Sequence, residues 1–133
     1  MPTRHRRVLL VEPQSLLRST VVSVAREIEL ARIEEASSVQ AALLRMECMA
    51  FDGLLLSCDE DGALALLTRL RQGELASPAD LPVVVMASGC TGEQALSLKQ
   101  LAVRRLLLKP FKVRALLESV QQLWAPQAEV SAC

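Results

Sequence analysis

The sequence predicts an α/β fold: one domain with a five-stranded parallel sheet and helices on both faces. Three observations predict it. Short apolar runs alternate five times with longer segments of helical spacing, the pattern of βα units feeding a parallel sheet. Most of these runs are continuously apolar rather than alternating, which suits strands buried on both faces. The length of 133 residues matches one ordinary domain and is too short for two.

The first run, residues 8–11, is Val-Leu-Leu-Val and is closed by Pro13; it is β1. Residues 15–30 form α1, with Leu16, Leu17, Val21, Val24, Ala25 and Ile28 on one stripe. Residues 32–36 are the weakest strand, β2, with Ile33 as its main apolar side chain. Ser37 or Ser38 caps a helix through residue 49, α2, which carries Val39, Ala42, Leu43, Met46 and Met49. Leu54-Leu55-Leu56 is β3, introduced by Asp52-Gly53 and closed by the acidic stretch Asp59-Glu60-Asp61-Gly62. Residues 62–72 form α3, and Gly73 stops it. Residues 74–81 read as a loop, with Pro78 and Pro82 as punctuation. Val83-Val84-Val85-Met86 is the clearest strand, β4, because it is short, apolar and β-branched. Thr91 caps α4, residues 92–101. Residues 105–108 are β5, ended by Lys109-Pro110, and residues 112–124 are the amphipathic α5.

Right-handed crossovers put the helices on both faces, and ligands of such sheets sit at the carboxyl ends of the strands. Those ends hold Glu12 and Pro13, Ser57 to Asp59, Ala87 and Ser88, and Lys109.

Composition removes several function classes. Hydrophobic residues are 51% and charged residues 23%, which is not the composition of a disordered chain. Lys+Arg and Asp+Glu both total 15, so there is no overall basic footprint for nucleic acid. Only Phe51, Phe111 and Trp124 are aromatic, too few for base-stacking platforms. The single histidine, His5, sits in a basic arm, residues 1–5, and excludes a His-based triad or a multi-His metal site. Cys48, Cys58, Cys90 and Cys133 are scattered without a Cys-x-x-Cys pair. Cys58 and Cys90 follow neighbouring strands; they read as small buried hydrophobes, with a thiol switch as the alternative. No signal peptide or span of about 20 apolar residues is present, so a cytoplasmic protein without membrane contact is expected.

The strand ends resemble those of response-regulator receiver domains across residues 6–124. Val8-Leu9-Leu10-Val11-Glu12 resembles the family's first strand and acidic end, and Asp52 to Ser57 resembles the third strand, which there ends in the phospho-accepting Asp. Asp61-Gly62 resembles the turn into the third helix. Pro82 to Ser88 resembles the fourth strand, whose end normally carries Thr or Ser. Leu107-Leu108-Lys109-Pro110-Phe111 resembles the fifth strand with its Lys-Pro-Phe, the most specific of these motifs. The resemblance implies a flavodoxin-like, doubly wound sheet of order 2-1-3-4-5 with five helices. It also implies a cis bond at Pro110 and phosphoryl transfer from a phosphohistidine to Asp with bound Mg²⁺. Such a pocket neutralises the transferring oxygens with metal and ammonium.

This sequence departs from that chemistry. Pro13 replaces one metal-binding acid, Ser57 stands at the acceptor position, and Ala87 stands at the hydroxyl position. The loop from Ser57 to Gly62 is about three residues shorter than the family's, and Leu106 replaces the switch aromatic; only Lys109 is intact. An unactivated hydroxyl such as Ser57 is a poor nucleophile. The expectation is therefore a stand-alone pseudo-receiver with no metal, no cofactor, weak or absent Mg²⁺ binding and no enzymatic activity. It would signal by contacting a protein, such as a histidine kinase or a downstream protein, without binding nucleic acid directly. The resemblance points to the α4–β5–α5 face as the partner or homodimer surface, carrying Lys99, Arg104, Arg105, Leu106, Lys112, Arg114 and Trp124. Two alternatives stand beside this. Asp59, two residues past Ser57, is the replacement phospho-acceptor of a divergent regulator, and otherwise part of a solvated acidic loop; Ser88 is the nearest stand-in for the missing hydroxyl. A small flavodoxin-like enzyme or ligand binder is the other, against which Glu12-Pro13-Gln14-Ser15 stands where a Gly-rich phosphate loop would be. Residues 125–133 read as a frayed tail.

Overall fold

The computed structural model describes residues 6–27, 29 and 31–124, so the basic arm, His5, Ile28, Leu30 and the tail with Cys133 lie outside the described residues. Strands and helices alternate along the chain. They are β1 (Arg7–Val11), α1 (Ser15–Glu27), β2 (Arg32–Ala36), α2 (Val39–Cys48), β3 (Gly53–Ser57), α3 (Ala63–Arg71), β4 (Val83–Ala87), α4 (Gly92–Gln100), β5 (Arg105–Leu108) and α5 (Val113–Gln122). All strand pairs are parallel and the order is β2-β1-β3-β4-β5. This is the doubly wound flavodoxin-like sheet that the strand order 2-1-3-4-5 describes.

The continuous apolar runs are explained by the two layers. Successive strand side chains point to opposite faces. Leu9, Val11, Leu54, Leu56, Val83 and Val85 pack on one side with Ala42 and Met46 of α2 and Leu66, Leu67 and Leu70 of α3. Val8, Leu10, Leu55, Val84, Met86 and Leu107 pack on the other with Val21 of α1 and Leu116 and Val120 of α5. Every residue of β3 and β4 is buried. The edge strand β2 buries only Ala36, and its charges keep that edge solvated: Glu34 pairs with both Arg7 and Arg45.

Local signals fix the helix starts. Ser38 Oγ accepts the Ala41 N–H at 3.0 Å at the head of α2. Thr91 and Gln94 form a reciprocal capping box on α4. Gly62 precedes α3 at φ 96°, a left-handed conformation that glycine adopts without steric cost. Arg71, at the end of α3, donates to the carbonyls of Ala79, Leu81, Leu101 and Ala102, tying α3 to the loop before β4 and to the end of α4. By contrast α4 buries a single side chain, Leu98.

All five helices end before the residue that the spacing predicts, α1 and α5 by the most. α1 stops at Glu27, and the chain turns at Glu29 with φ 52° while its N–H donates to Arg26. α5 stops at Gln122 because its end is clamped onto the amino end of β3. There the Trp124 indole N–H donates to Asp52 O at 2.8 Å, and the Arg6 guanidinium lies 4.4 Å from the ring centre. Gly53 permits this approach: a Cβ there would meet Leu123 Cδ1 at 3.3 Å and Trp124 at 3.5 Å.

Candidate functional site

Parallel strands bring their carboxyl ends to one edge, and four of those ends meet at Lys109. Glu12 follows β1, Ser57 ends β3, Ser88 follows β4, and Lys109 follows β5. The Lys109 amide donates to Ala87 O at 2.8 Å, which fixes the lysine backbone against β4. The Lys109–Pro110 bond is cis.

An ammonium has three N–H donors, and each of those on Lys109 has an acceptor inside the protein. Nζ lies 2.8 Å from Glu12 Oε1, 2.9 Å from Asp59 Oδ2 and 3.2 Å from Ser57 Oγ. Glu12 is 1% exposed, and a carboxylate that deep needs a charged or hydrogen-bonding partner. Its second oxygen accepts the Gln14 N–H at 3.0 Å. Burial by itself lowers the Lys109 pKa, but the bonds and charges of Glu12 and Asp59 outweigh it and hold the group above its ordinary value.

Asp59 reaches the same pocket from the loop after β3. Its Oδ1 accepts the Ser88 N–H at 2.7 Å, and its Oδ2 accepts the Ser88 hydroxyl and the Lys109 ammonium, both at 2.9 Å. Partial burial raises its pKa; the Ser88 amide, Lys109 and the Ser88 hydroxyl together reverse that and leave it below the usual carboxylate value. Next to it, Glu60 Oε1 accepts the Val39 N–H at 3.1 Å, where an anion is favoured by the dipole of α2. The acidic loop is solvated at Asp59 and Asp61, as read from the sequence, and Asp59 and Glu60 are in addition bonded to the fold.

The other predicted positions supply less. Pro13 is exposed and Ala87 is buried, and neither side chain offers a polar atom. Ser57 is fully buried, and its Oγ also accepts the Asp59 N–H at 3.4 Å. A cleft of about 240 Å³ opens beside the site between α3 and α4, lined among others by Cys58, Asp61, Ala87, Cys90 and Leu98. Cys58 and Cys90 are free thiols there. Burial first, then the charge of Asp59 and the neighbouring Cys90, push the Cys58 thiol up to about 11. Since the thiolate is the reactive species, Cys58 is held in its unreactive form. Among the described residues, no group of three or more His, Cys, Asp or Glu side chains is placed to hold a metal ion, and no helix is long and apolar enough to cross a membrane.

The predicted partner-face residues do not all come together. Lys99, Lys112 and Arg114 are exposed, and Leu106 is half-buried. Arg104 and Arg105 reach across to Gln122 of α5. Trp124 is corrected: it packs at the amino end of β3, because its indole N–H finds the Asp52 carbonyl there. What charge counting missed is the apolar part of this surface. Leu96 of α4, Leu108 of β5 and Val113 of α5 are each more than half exposed.

No protein-family model matches the sequence, and no curated protein matches it. Solved structures do. A response-regulator receiver protein from Pseudomonas putida aligns with a TM-score of 0.80 at 21% identity, covering 91% of this chain and 99% of that one. An orphan response regulator of Helicobacter pylori aligns at 0.78 and 19% identity, covering 92% and 98%. The receiver domain of a Pseudomonas aeruginosa sensor histidine kinase, solved with magnesium in its active-site cleft, aligns at 0.74 and 18% identity, covering 90% and 98%. At these identities the likeness is one of architecture: the chain has the fold of two-component receiver domains.

Proposed function

We propose that this chain is a pseudo-receiver: a signalling module with the receiver fold that works without accepting a phosphoryl group, through contact with another protein. One observation carries the reading. Glu12, Asp59 and Ser57 take all three ammonium protons of Lys109, leaving no lysine donor for a transferred phosphoryl group. The remaining positions agree with it. Mg²⁺ needs oxygen ligands in near-octahedral array, whereas the oxygens of Glu12 and Asp59 already accept N–H or O–H donors, and Pro13 and Ser57 bring no anion. This donor set does not fit the ion. The reading is of a signalling module rather than an enzyme, working without a cofactor in the cytoplasm, where free thiols such as Cys48, Cys58 and Cys90 persist.

The partner is a protein, either a histidine kinase or a downstream component, or a second copy across the α4–β5–α5 face. Exposed Leu96, Leu108 and Val113 beside Lys99 and Lys112 support that surface. A second reading rests on Asp59, whose ionised carboxylate is about a third exposed beside Lys109 and is therefore the candidate acceptor of a divergent regulator. Incubation with acetyl phosphate and Mg²⁺, followed by intact-mass measurement, separates the two. The pseudo-receiver gains no phosphoryl mass. A Mg²⁺-dependent adduct that disappears in Asp59→Ala establishes the second reading instead.

A further inference from the structure

We propose that Cys58 and Cys90 form a dithiol site in the cleft between α3 and α4, which exchanges with low-molecular-weight disulfides and closes into a Cys58–Cys90 bridge. The proposal deepens the pseudo-receiver reading, since it gives a module that accepts no phosphoryl group another covalent input.

The fold brings the two thiols to one place. Ser57 and Met86 are in register at the ends of β3 and β4, and the Cys58 N–H donates to Met86 O at 2.8 Å. One residue on, Asp59 holds the Ser88 amide at 2.7 Å. The two chains therefore stay side by side past the strands, and Cys90 leaves β4 just beyond Ser88. Cys58 and Cys90 pack against the same apolar cluster and border the same cleft of about 240 Å³, with Ala63 and Leu64 of α3 and Gln94 and Leu98 of α4. A bridge needs Cα atoms about 5.5 Å apart, and adjacent strands run about 4.8 Å apart. Gly89 and Gly92 flank Cys90, and a Cβ at either would meet nothing within 4 Å, so this loop has room to carry Cys90 to Cys58.

The two thiols have different roles. Burial, then the charge of Asp59, then that of Cys90 push Cys58 up to about 11, so near neutral pH it keeps its proton. Cys90 is therefore the thiol that attacks first, because the thiolate is the nucleophile. Its sulfur bonds to one sulfur of the small disulfide, whose other half leaves as a thiolate. Cys58 then gives its proton to water, and its sulfur displaces the second half from Cys90. Two protein thiols are oxidised to one disulfide, and one small disulfide is reduced to two thiols. In a reducing compartment such a bridge is transient and signals the oxidant.

The bridge has a structural consequence at α4. That helix buries only Leu98, and it carries exposed Leu96 of the partner surface. Closing Cys58 onto Cys90 ties the chain just before α4 to the end of β3, every residue of which is buried. Oxidation thus firms the helix that presents the partner surface.

The test uses the full chain with Cys48→Ser and Cys133→Ser, which leaves only the two thiols in question. The native protein is treated with oxidised glutathione, then followed by intact mass, peptide mapping, melting temperature and amide hydrogen exchange. The expected product is lighter by two hydrogens, maps to a Cys58–Cys90 bridge, melts higher, and reverts with dithiothreitol. Amides of α4 should exchange at least about tenfold more slowly in it. Adding Cys58→Ser should stop the reaction at a glutathione adduct on Cys90, whereas adding Cys90→Ser should leave Cys58 unmodified. A native chain that gains no bridge, or stops at glutathione adducts with both thiols present, overturns the proposal. So does a bridge that lowers the melting temperature, because the sulfurs then meet only by distorting the fold. Unchanged exchange in α4 overturns the link to the partner surface. None of these readouts involves a phosphoryl group, so failure here leaves the pseudo-receiver reading standing, and an adduct on Asp59 leaves this proposal standing.

Discussion

Replacing Lys109 with Met keeps an unbranched side chain of similar length and deletes the ammonium. Glu12, 1% exposed, is then left with one hydrogen bond, from Gln14 N–H at 3.0 Å. Breaking a buried pair by removing one partner costs about 3–5 kcal/mol, because an uncompensated charge remains. The bond to Asp59 involves a carboxylate 32% exposed, and a pair near solvent contributes about 1 kcal/mol or less. The expected total for Lys109→Met is therefore about 3–5 kcal/mol, dominated by Glu12. Equilibrium urea unfolding reads this directly: with a slope of about 1–3 kcal/mol per molar, the midpoint should fall by more than about 1 M. The double variant Glu12→Leu with Lys109→Met removes both buried charges and should recover much of the loss, since apolar replacement of a whole buried pair is often close to neutral. A cost below about 1 kcal/mol for Lys109→Met, or a double variant less stable than the single one, would refute the reasoning.

Three further outcomes follow from the same geometry. Arg71→Ala removes four bonds to main-chain carbonyls and should cost about 2–4 kcal/mol; Arg71→Lys should rescue little, because an ammonium cannot reproduce the planar fork, and a full rescue by Lys would contradict the assignment. Asp59 is held below its unfolded pKa, so its contribution is present above the ordinary Asp range and is lost as pH falls through the lowered native value. Lys109 is held above 10.5, so its contribution is present below that value and is lost only as pH rises through the raised native one. Stability measured against pH should accordingly decline at both ends, and Asp59→Asn should flatten the acid limb; an unchanged acid limb would count against the Asp59 contacts. Finally, the Cys58 thiol, pushed up to about 11, should resist iodoacetamide at pH 8 in the native state while exposed Cys48 is alkylated. Equal rates at the two would show that Cys58 is not buried as described.

The architecture was legible in the sequence because buried parallel strands write themselves as continuous apolar runs. Leu54 to Leu56 and Val83 to Met86 are apolar on both faces because helices cover both. Even the weak strand at residues 32–36 could be placed, since an edge strand needs only one deeply buried residue, Ala36. The pocket was less legible. Strand-end position marked Glu12, Ser57 and Lys109, because parallel strands align their carboxyl ends whatever the loops do. The role of Asp59 depends on where a loop turns after β3 ends at Ser57, and its partners lie 29 and 50 residues away. No local periodicity encodes such contacts. Glu60 at the head of α2 was missed for the same reason: its acceptor role depends on a helix that begins 21 residues earlier. Trp124 was misplaced because amphipathic spacing assigns a residue to a helix face but does not show where the helix ends. The hydrogen bond to the Asp52 carbonyl decides that.

The central claim is that the pocket at the carboxyl ends of the strands is neutralised from within by Glu12, Asp59 and Ser57 around Lys109. The most direct measurement is an amide-resolved NMR titration of the wild-type chain with beryllofluoride and Mg²⁺, which together imitate a bound phosphoryl group. The account predicts no saturable shift at Ser88, Lys109 or Asp59. A saturable, Mg²⁺-dependent shift at those three amides would contradict it and show that the pocket accepts a phosphoryl group.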